Sequence, residues 1–237
     1  MAAPAARSSA RAVVALAALL SLALTGCISP PVHDSARRGP FFTPTNHAGD
    51  ARLPADLRRV VLLPVAGGAA ADAESAAALD PVFIAELQKQ NRFEVVALTR
   101  EDCLRRFRAE EFLSTAALPP DFLAMLKREH AADAVMFVDV TAYKAYRPLV
   151  LGVRAKLALL EPEADVRLVW TFDNVFAAAD PAVANSARHH FLDSDRGGIP
   201  ADLTQGVLQS PSRFATYVAA ATFATLPPVY APPPHKK

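Results

Sequence analysis

The sequence predicts a single α/β domain, a mixed five-stranded sheet with one long antiparallel hairpin and flanking helices. Three observations predict it. Short apolar runs rich in β-branched residues, at Arg59–Val65, Phe93–Leu98 and Asp133–Val140, alternate with helical patterns, the order expected of strands joined by helical crossovers. Two longer strands, about Leu149–Leu160 and Val166–Phe176, flank the turn signal Glu161-Pro162-Glu163-Ala164-Asp165. The stretch from 58 to 226 is long enough to bury a substantial core.

The elements follow in chain order. Arg7 and Arg11 stand in an N-terminal region without acids, and Ala12–Leu24 runs apolar apart from Ser21. That run is shorter than the ~20 residues of a membrane-spanning helix and suits a secretory leader. It ends in Leu24-Thr25-Gly26-Cys27, which resembles the bacterial lipobox. The resemblance implies cleavage before Cys27, acylation of Cys27 (palmitate among the chains) and a mature protein beginning at that residue. Ile28 stands where Asp would favour inner-membrane retention, so the resemblance implies the outer membrane. The expected organisation is a signal peptide over 1–26, a lipidated tether over 27–57, a periplasmic α/β domain over 58–226 and a Pro-rich disordered tail over 227–237. The tether reading rests on Pro30, Pro31, Pro40, Pro44 and Pro54 with Gly39 and Gly49, which leave no helical or strand period. Phe41 and Phe42 are the exception there, expected to dock on the domain or to form a small contact site, docking being the commoner fate.

Arg59–Val65 reads as a buried strand. Asp80-Pro81 reads as a helix N-cap with Pro at the first position, opening a helix to about Asn91. Thr99, with Asp102 three residues on, caps a short helix that carries Cys103, expected buried. Pro119-Pro120-Asp121 opens a helix ending near His130. Asp180-Pro181 opens another, to about Phe191. Asp193–Gln209 reads as a loop, and a final helix runs from Ser210 or Ser212 to Leu226.

The hairpin register is predicted from pairing. With Glu161 opposite Val166, Arg154 faces Asp173 and Lys156 faces Thr171, while Leu159 meets Leu168, Leu157 meets Trp170 and Ala155 meets Phe172. A one-residue slip puts Lys156 against Trp170 and Arg154 against Phe172, reversing the faces.

Composition limits the function classes. The 237 residues carry 25 basic and 24 acidic side chains, a formal charge of +1. No strong global positive field is available for nucleic acid. Loss of 1–26 removes Arg7 and Arg11 and no acid, leaving a nearly neutral chain whose membrane attachment rests on acyl chains. Two cysteines exclude a disulfide scaffold.

The chain contains no GxSxG, P-loop, HExxH, GxGxxG or CxxC. Gly67-Gly68 is the nearest approach to a phosphate cradle but lacks the following Lys-Ser/Thr, and reads as a plain loop. His189-His190 are adjacent on a helix and point apart, reading as solvated surface. Asp139, in a central strand, needs a partner, with Lys144, Arg154 or an end-of-strand amide as candidates and a structural role expected. No catalytic residue, metal site or cofactor beyond the lipid on Cys27 is expected. Tyr143, Tyr146 and Arg147 form the densest aromatic-basic cluster, a candidate partner contact that equally suits packing at the end of a sheet.

The first strand ending in Leu63-Pro64, the helix into Gln90-Asn91-Arg92-Phe93-Glu94-Val95-Val96, and Ala132-Asp133-Ala134-Val135 leading to Val140-Thr141-Ala142-Tyr143 resemble a group of envelope proteins. The group shares one domain among curli-secretion (CsgG-like) proteins, LpoB-type activators of penicillin-binding proteins and the TolB N-terminal domain. The likeness spans roughly 58–177. That group offers no catalytic residue to carry over, and with the lipobox, the tether and the absence of a site the expected protein is an outer-membrane-anchored periplasmic lipoprotein that is not an enzyme and acts as an envelope assembly or regulatory factor by binding a protein. An oligomeric secretion or export subunit is the alternative, and an envelope hydrolase a distant third. No spare pair of amphipathic strands for a membrane barrel is visible.

Overall fold

The structure, a computed structural model, describes residues 34–161, 166–194 and 201–229. The leader, the lipobox Leu24–Cys27, most of the hairpin turn and the tail beyond 229 lie outside the described residues.

Six strands form one mixed sheet: β1 His47–Gly49, β2 Arg59–Leu62, β3 Glu94–Ala97, β4 Ala134–Lys144, β5 Val150–Leu160 and β6 Val166–Ala177. Their spatial order is β1-β6-β5-β4-β2-β3. β2 runs parallel to β3 and β4, and β4, β5, β6 and β1 pair antiparallel. The single α/β domain and its long hairpin are as expected. The strand count is six because β1 arises from the segment read as tether.

Alternation along the strands separates two cores. Val60, Leu62, Met136, Val138, Leu157, Trp170 and Phe172 face the larger one. It is covered by α2 (Ala73–Gln88), α5 (Pro181–Ser194) and α6 (Pro211–Ala224), where the rings of Phe83 and Phe223 meet edge-on at 5.9 Å. Val61, Leu63, Val135 and Phe137 face the smaller core, closed by α3 (Arg100–Phe107) and α4 (Phe122–His130) through Cys103, Phe122 and Leu126. This second layer covers β2, β4 and the end of β5 at Ala158 and Leu160. Over β5 and β6 the same sheet face carries the half-exposed Lys156, Arg154, Thr171 and Asp173 and the exposed Val175.

The hairpin register holds where charge and aromatic pairing dictate it. Arg154 lies opposite Asp173, Lys156 opposite Thr171, Leu157 opposite Trp170 and Ala155 opposite Phe172. Beyond Leu157 a bulge intervenes, so Ala158 pairs with Leu168 and Leu160 with Val166. Val169 is the extra residue and is buried with Trp170. A bulge keeps both apolar groups inside at the cost of one ladder position.

Residues 35–57 are part of the body, which corrects the reading of 27–57 as a free tether. A short helix α1 (Ser35–Arg38) buries Ala36. The Phe42 amide donates to Ser186 Oγ at 2.8 Å, Asn185 donates to the Pro40 carbonyl at 3.1 Å, and the Phe42 ring meets Phe176 edge-on at 5.3 Å. β1 then pairs His47 with Phe172 and Gly49 with Trp170. Leu53 is fully buried, and its amide donates to the Pro228 carbonyl at 2.9 Å. Prolines and glycines erase the hydrophobic period here, yet pairing on an existing edge needs only backbone groups.

Further boundaries differ, and β2 ends at Leu62, short of the expected Val65. α2 begins at Ala73 with Asp72 as N-cap, its side chain accepting from the Ser75 amide at 2.7 Å. Pro81 lies inside the helix, and the Asp80 carboxylate is used elsewhere. The strong helix preference of the Ala-rich stretch carries the helix through that point. β4 continues to Lys144, past the expected end at Val140. Part of the expected loop before α6 is a 3-10 helix, Ala201–Gln209, held to α5 by Arg188 Nε donating to Thr204 Oγ1 at 3.1 Å. The α6 N-cap is Ser210, one of the two expected starts, with its Oγ accepting from the Arg213 amide.

Gly152 stands opposite the irregularity in β4 at Thr141. A Cβ there would lie 2.5 Å from Thr141 Oγ1 and 2.8 Å from the Ala142 amide nitrogen. The backbone atom cannot yield cheaply, so Gly152→Ala is expected to lower stability by about 1–3 kcal/mol, measured by urea denaturation. An unchanged midpoint would refute the tight β4–β5 packing.

Candidate functional site

β4 and β5 project beyond the second helical layer, and the turn between them presents the residues singled out in the sequence. Tyr143 pairs with Leu151 and packs, half-buried, against the larger core. Tyr146 is 72% exposed, with Lys144 Nζ 4.7 Å from its ring centroid, a cation-π geometry. Arg147 and Pro148 are exposed and line a cavity of about 370 Å³ with Ala178, Gln205, Leu208 and Gln209. The structure therefore brings Tyr146 and Arg147 to one surface and assigns Tyr143 to packing. Gln205, Leu208 and Gln209 come from the 3-10 helix, for which the sequence offers no period. Val175, 52% exposed on the open sheet face, is legible from strand alternation once the register is set.

At the C-terminal ends of the parallel strands, where open α/β sheets often bind ligands, the polar groups serve one another. Gly68 adopts φ +54°, a conformation that favours glycine, and Gly67 and Gly68 present successive amides. Both donate to the Glu111 carboxylate at 3.1 Å. Arg100, its side chain 15% exposed, donates to Asp80 at 2.6 Å, to Glu111 at 3.2 Å and to the Val65 carbonyl at 2.6 Å. Asp80 also accepts from the Val65 amide at 2.8 Å. The Gly-Gly amides thus hold an internal carboxylate, and the loop after β2 is fastened to α2, α3 and the segment before α4.

Asp139 is buried as expected, but its partner is none of the candidates. Ser114 donates to it twice, through its amide at 2.9 Å and its Oγ at 2.6 Å. Lys156 holds the Ser114 carbonyl at 3.0 Å. Arg154 instead donates to Asp173 at 2.9 Å. The supply of donors by a loop distant in sequence leaves no local signal.

The two histidines also depart from the solvated-surface reading. His189 is half-buried, with Nδ1 2.9 Å from the Ala36 carbonyl oxygen and its ring 4.6 Å from that of Phe41. His190 packs beside Phe191 and Tyr217. Both fasten elements to α5.

A second cleft of about 390 Å³ at the opposite end of the sheet is lined by Lys127, Asp133, Glu161 and Arg167 among others. Its charges are also engaged. Asp133 accepts from the Arg58 and Arg59 amides at 2.9 Å, Lys127 donates to the Leu160 carbonyl at 3.2 Å, and Arg167 bridges Asp50 and Glu161 at 2.6 and 3.0 Å. Among the described residues no group of three or more His, Cys, Asp or Glu is placed to hold a metal, and no helix is long and apolar enough to cross a membrane.

No protein-family model matches the chain, and no curated protein matches it. Solved structures are similar at low identity. The PelC dodecamer from Paraburkholderia phytofirmans is 13% identical, with 76% of this chain and 94% of that one covered and a TM-score of 0.42. Lipoprotein GNA1162 from Neisseria meningitidis is 16% identical, with 63% and 98% covered and a TM-score of 0.39. The hypothetical protein CT253 from Chlamydia trachomatis is 13% identical, with 71% and 99% covered and a TM-score of 0.38.

Cys103 is fully buried on α3, and burial pushes its thiol up to about 11 from an ordinary 9.0. A thiol whose folded pKa is raised ionises first in the unfolded chain. Its contribution is fully present below about pH 9 and is lost as pH rises toward 11. The urea midpoint is expected to fall across that window, and less steeply in Cys103→Ala. Parallel curves for the two proteins would contradict the assignment.

Proposed function

We propose that the chain is a lipoprotein anchored through acylated Cys27 in the outer membrane, facing the periplasm. It acts without catalysis as an envelope assembly or regulatory factor by binding a protein at the Tyr146–Arg147 end of the sheet. The observation that carries the reading is Leu24-Thr25-Gly26-Cys27 placed directly after a leader-length apolar run. The geometry supports it in two ways. Arg100, Asp80 and Glu111 at one end of the sheet, and Asp133, Lys127 and Arg167 at the other, are taken up in internal pairs. The β4–β5 turn holds an exposed aromatic ring between Lys144 and Arg147 beside a cavity lined by Pro148, Ala178 and Leu208 with two glutamines, a composition common at protein contacts. The resemblance to the LpoB-type and curli-type domains is in keeping with this reading.

Two variants test it in the native host. Cys27→Ala is expected to leave the leader uncleaved and the acyl mass absent. Tyr146→Ala with Arg147→Ala is expected to leave acylation and thermal stability unchanged and to abolish the crosslink that a photoreactive residue at 145 forms with an envelope protein. Mature unacylated protein in the soluble fraction would refute the anchor. A crosslink of unchanged yield in the double variant would refute the contact site.

A further inference from the structure

The chain at the end of α6 is fixed both in place and in direction. Arg92 donates to the carbonyls of Leu226 and Pro227, and Pro227 is buried. The Leu53 amide donates to the Pro228 carbonyl at 2.9 Å, and Leu53 and Val229 form a parallel bridge. Leu53 is fully buried in the larger core, and Val229 packs, half-buried, against the same core. Side chains alternate along extended chain. Pro54 and the residue after Val229 therefore share the other face, and that residue is Tyr230.

On that face lies the cleft of about 390 Å³ beside the hairpin turn, with Pro54 in its lining. Leu57, Leu159 and Leu160 complete its apolar wall. Charge does not choose the occupant. Asp56, Asp133 and Glu161 stand against Lys127 and Arg167 in the lining, Asp50 binds Arg167, and Arg52 and Arg58 are exposed close by in the chain. The basic end Lys236-Lys237 thus gains nothing there. Asp56 is exposed and has no hydrogen-bond or ion-pair partner among the described residues. A seat with apolar walls and an open carboxylate at its rim suits a side chain with an apolar body and a donor at its tip. Within 230–237 only Tyr230 carries a hydroxyl on a ring.

We infer that this cleft is the seat of Tyr230, the ring lying against Pro54, Leu57 and Leu159 and the hydroxyl donating to Asp56. The cleft is then closed by the chain itself, and 231–237 leave from its rim. The seat does not depend on the acylation of Cys27.

The test uses the purified full-length chain with azidophenylalanine at position 230 or 231. After photolysis the crosslinked monomer is isolated and digested with trypsin. Position 230 is expected to label peptide 157–167, the far wall of the cleft. Position 231 is expected to label it at least about fivefold less, because alternation turns it away. Labelling confined to peptide 53–58, a neighbour under any placement, equal labelling of 157–167 from the two positions, or no adduct overturns the inference. The Arg58 and Arg59 amides, bonded to Asp133 in the cleft, give a second readout. Relative to the amides of β5, they are expected to exchange roughly threefold faster in Tyr230→Ala. An unchanged ratio also overturns it.

Discussion

The pairing of a three-residue strand, His47–Gly49, on the edge of β6 organises much of this molecule. β6 carries Trp170 and Phe172 into the larger core and would otherwise end the sheet with unpaired backbone groups, a liability for any long strand. Residues 46–50 cover that edge between Val169 and Asp173. The chain before them is fastened along α5, and the chain after them brings Leu53 beside Val229. Arg92, at the entry to β3, then holds the carbonyls of Leu226 and Pro227. Residues 35–53, the sheet edge and the end of α6 are therefore one packing unit.

The charged side chains follow a single rule. At the C-terminal ends of the parallel strands Arg100 serves two carboxylates and a carbonyl, and Glu111 takes the amides that a phosphate would need. Asp139 is satisfied by Ser114, and Lys156 holds that same residue. A buried polar group without a partner is costly, and Arg100, Glu111 and Asp139 each tie a connecting segment to the sheet.

How much was legible depends on where each signal resides. The β5–β6 register was readable because a slip sets charges against Trp170 and Phe172. The bulge at Val169 was not, because alternation alone does not show that two successive residues are both wanted inside. Asp80-Pro81 has the form of a helix start, but Asp80 is required by Val65 and Arg100, contacts that exist only in the fold. Residues 35–57 gave no period because their docking rests on backbone pairing and a few buried groups. Tyr146 was identifiable as an aromatic beside basic residues. The separation of Tyr143 from it follows from β4 continuing to Lys144, which puts position 143 on the core face.

The central claim, that residues 35–57 are an integral part of the domain, is tested most directly by amide hydrogen exchange. The amides of Phe42, Asp50 and Leu53 are bonded to Ser186, Val169 and Pro228. The account predicts that they exchange within about tenfold of the slow amides of β5, as members of one cooperative unit. Exchange of all three at the rate of a free peptide, with β5 still protected, would contradict it.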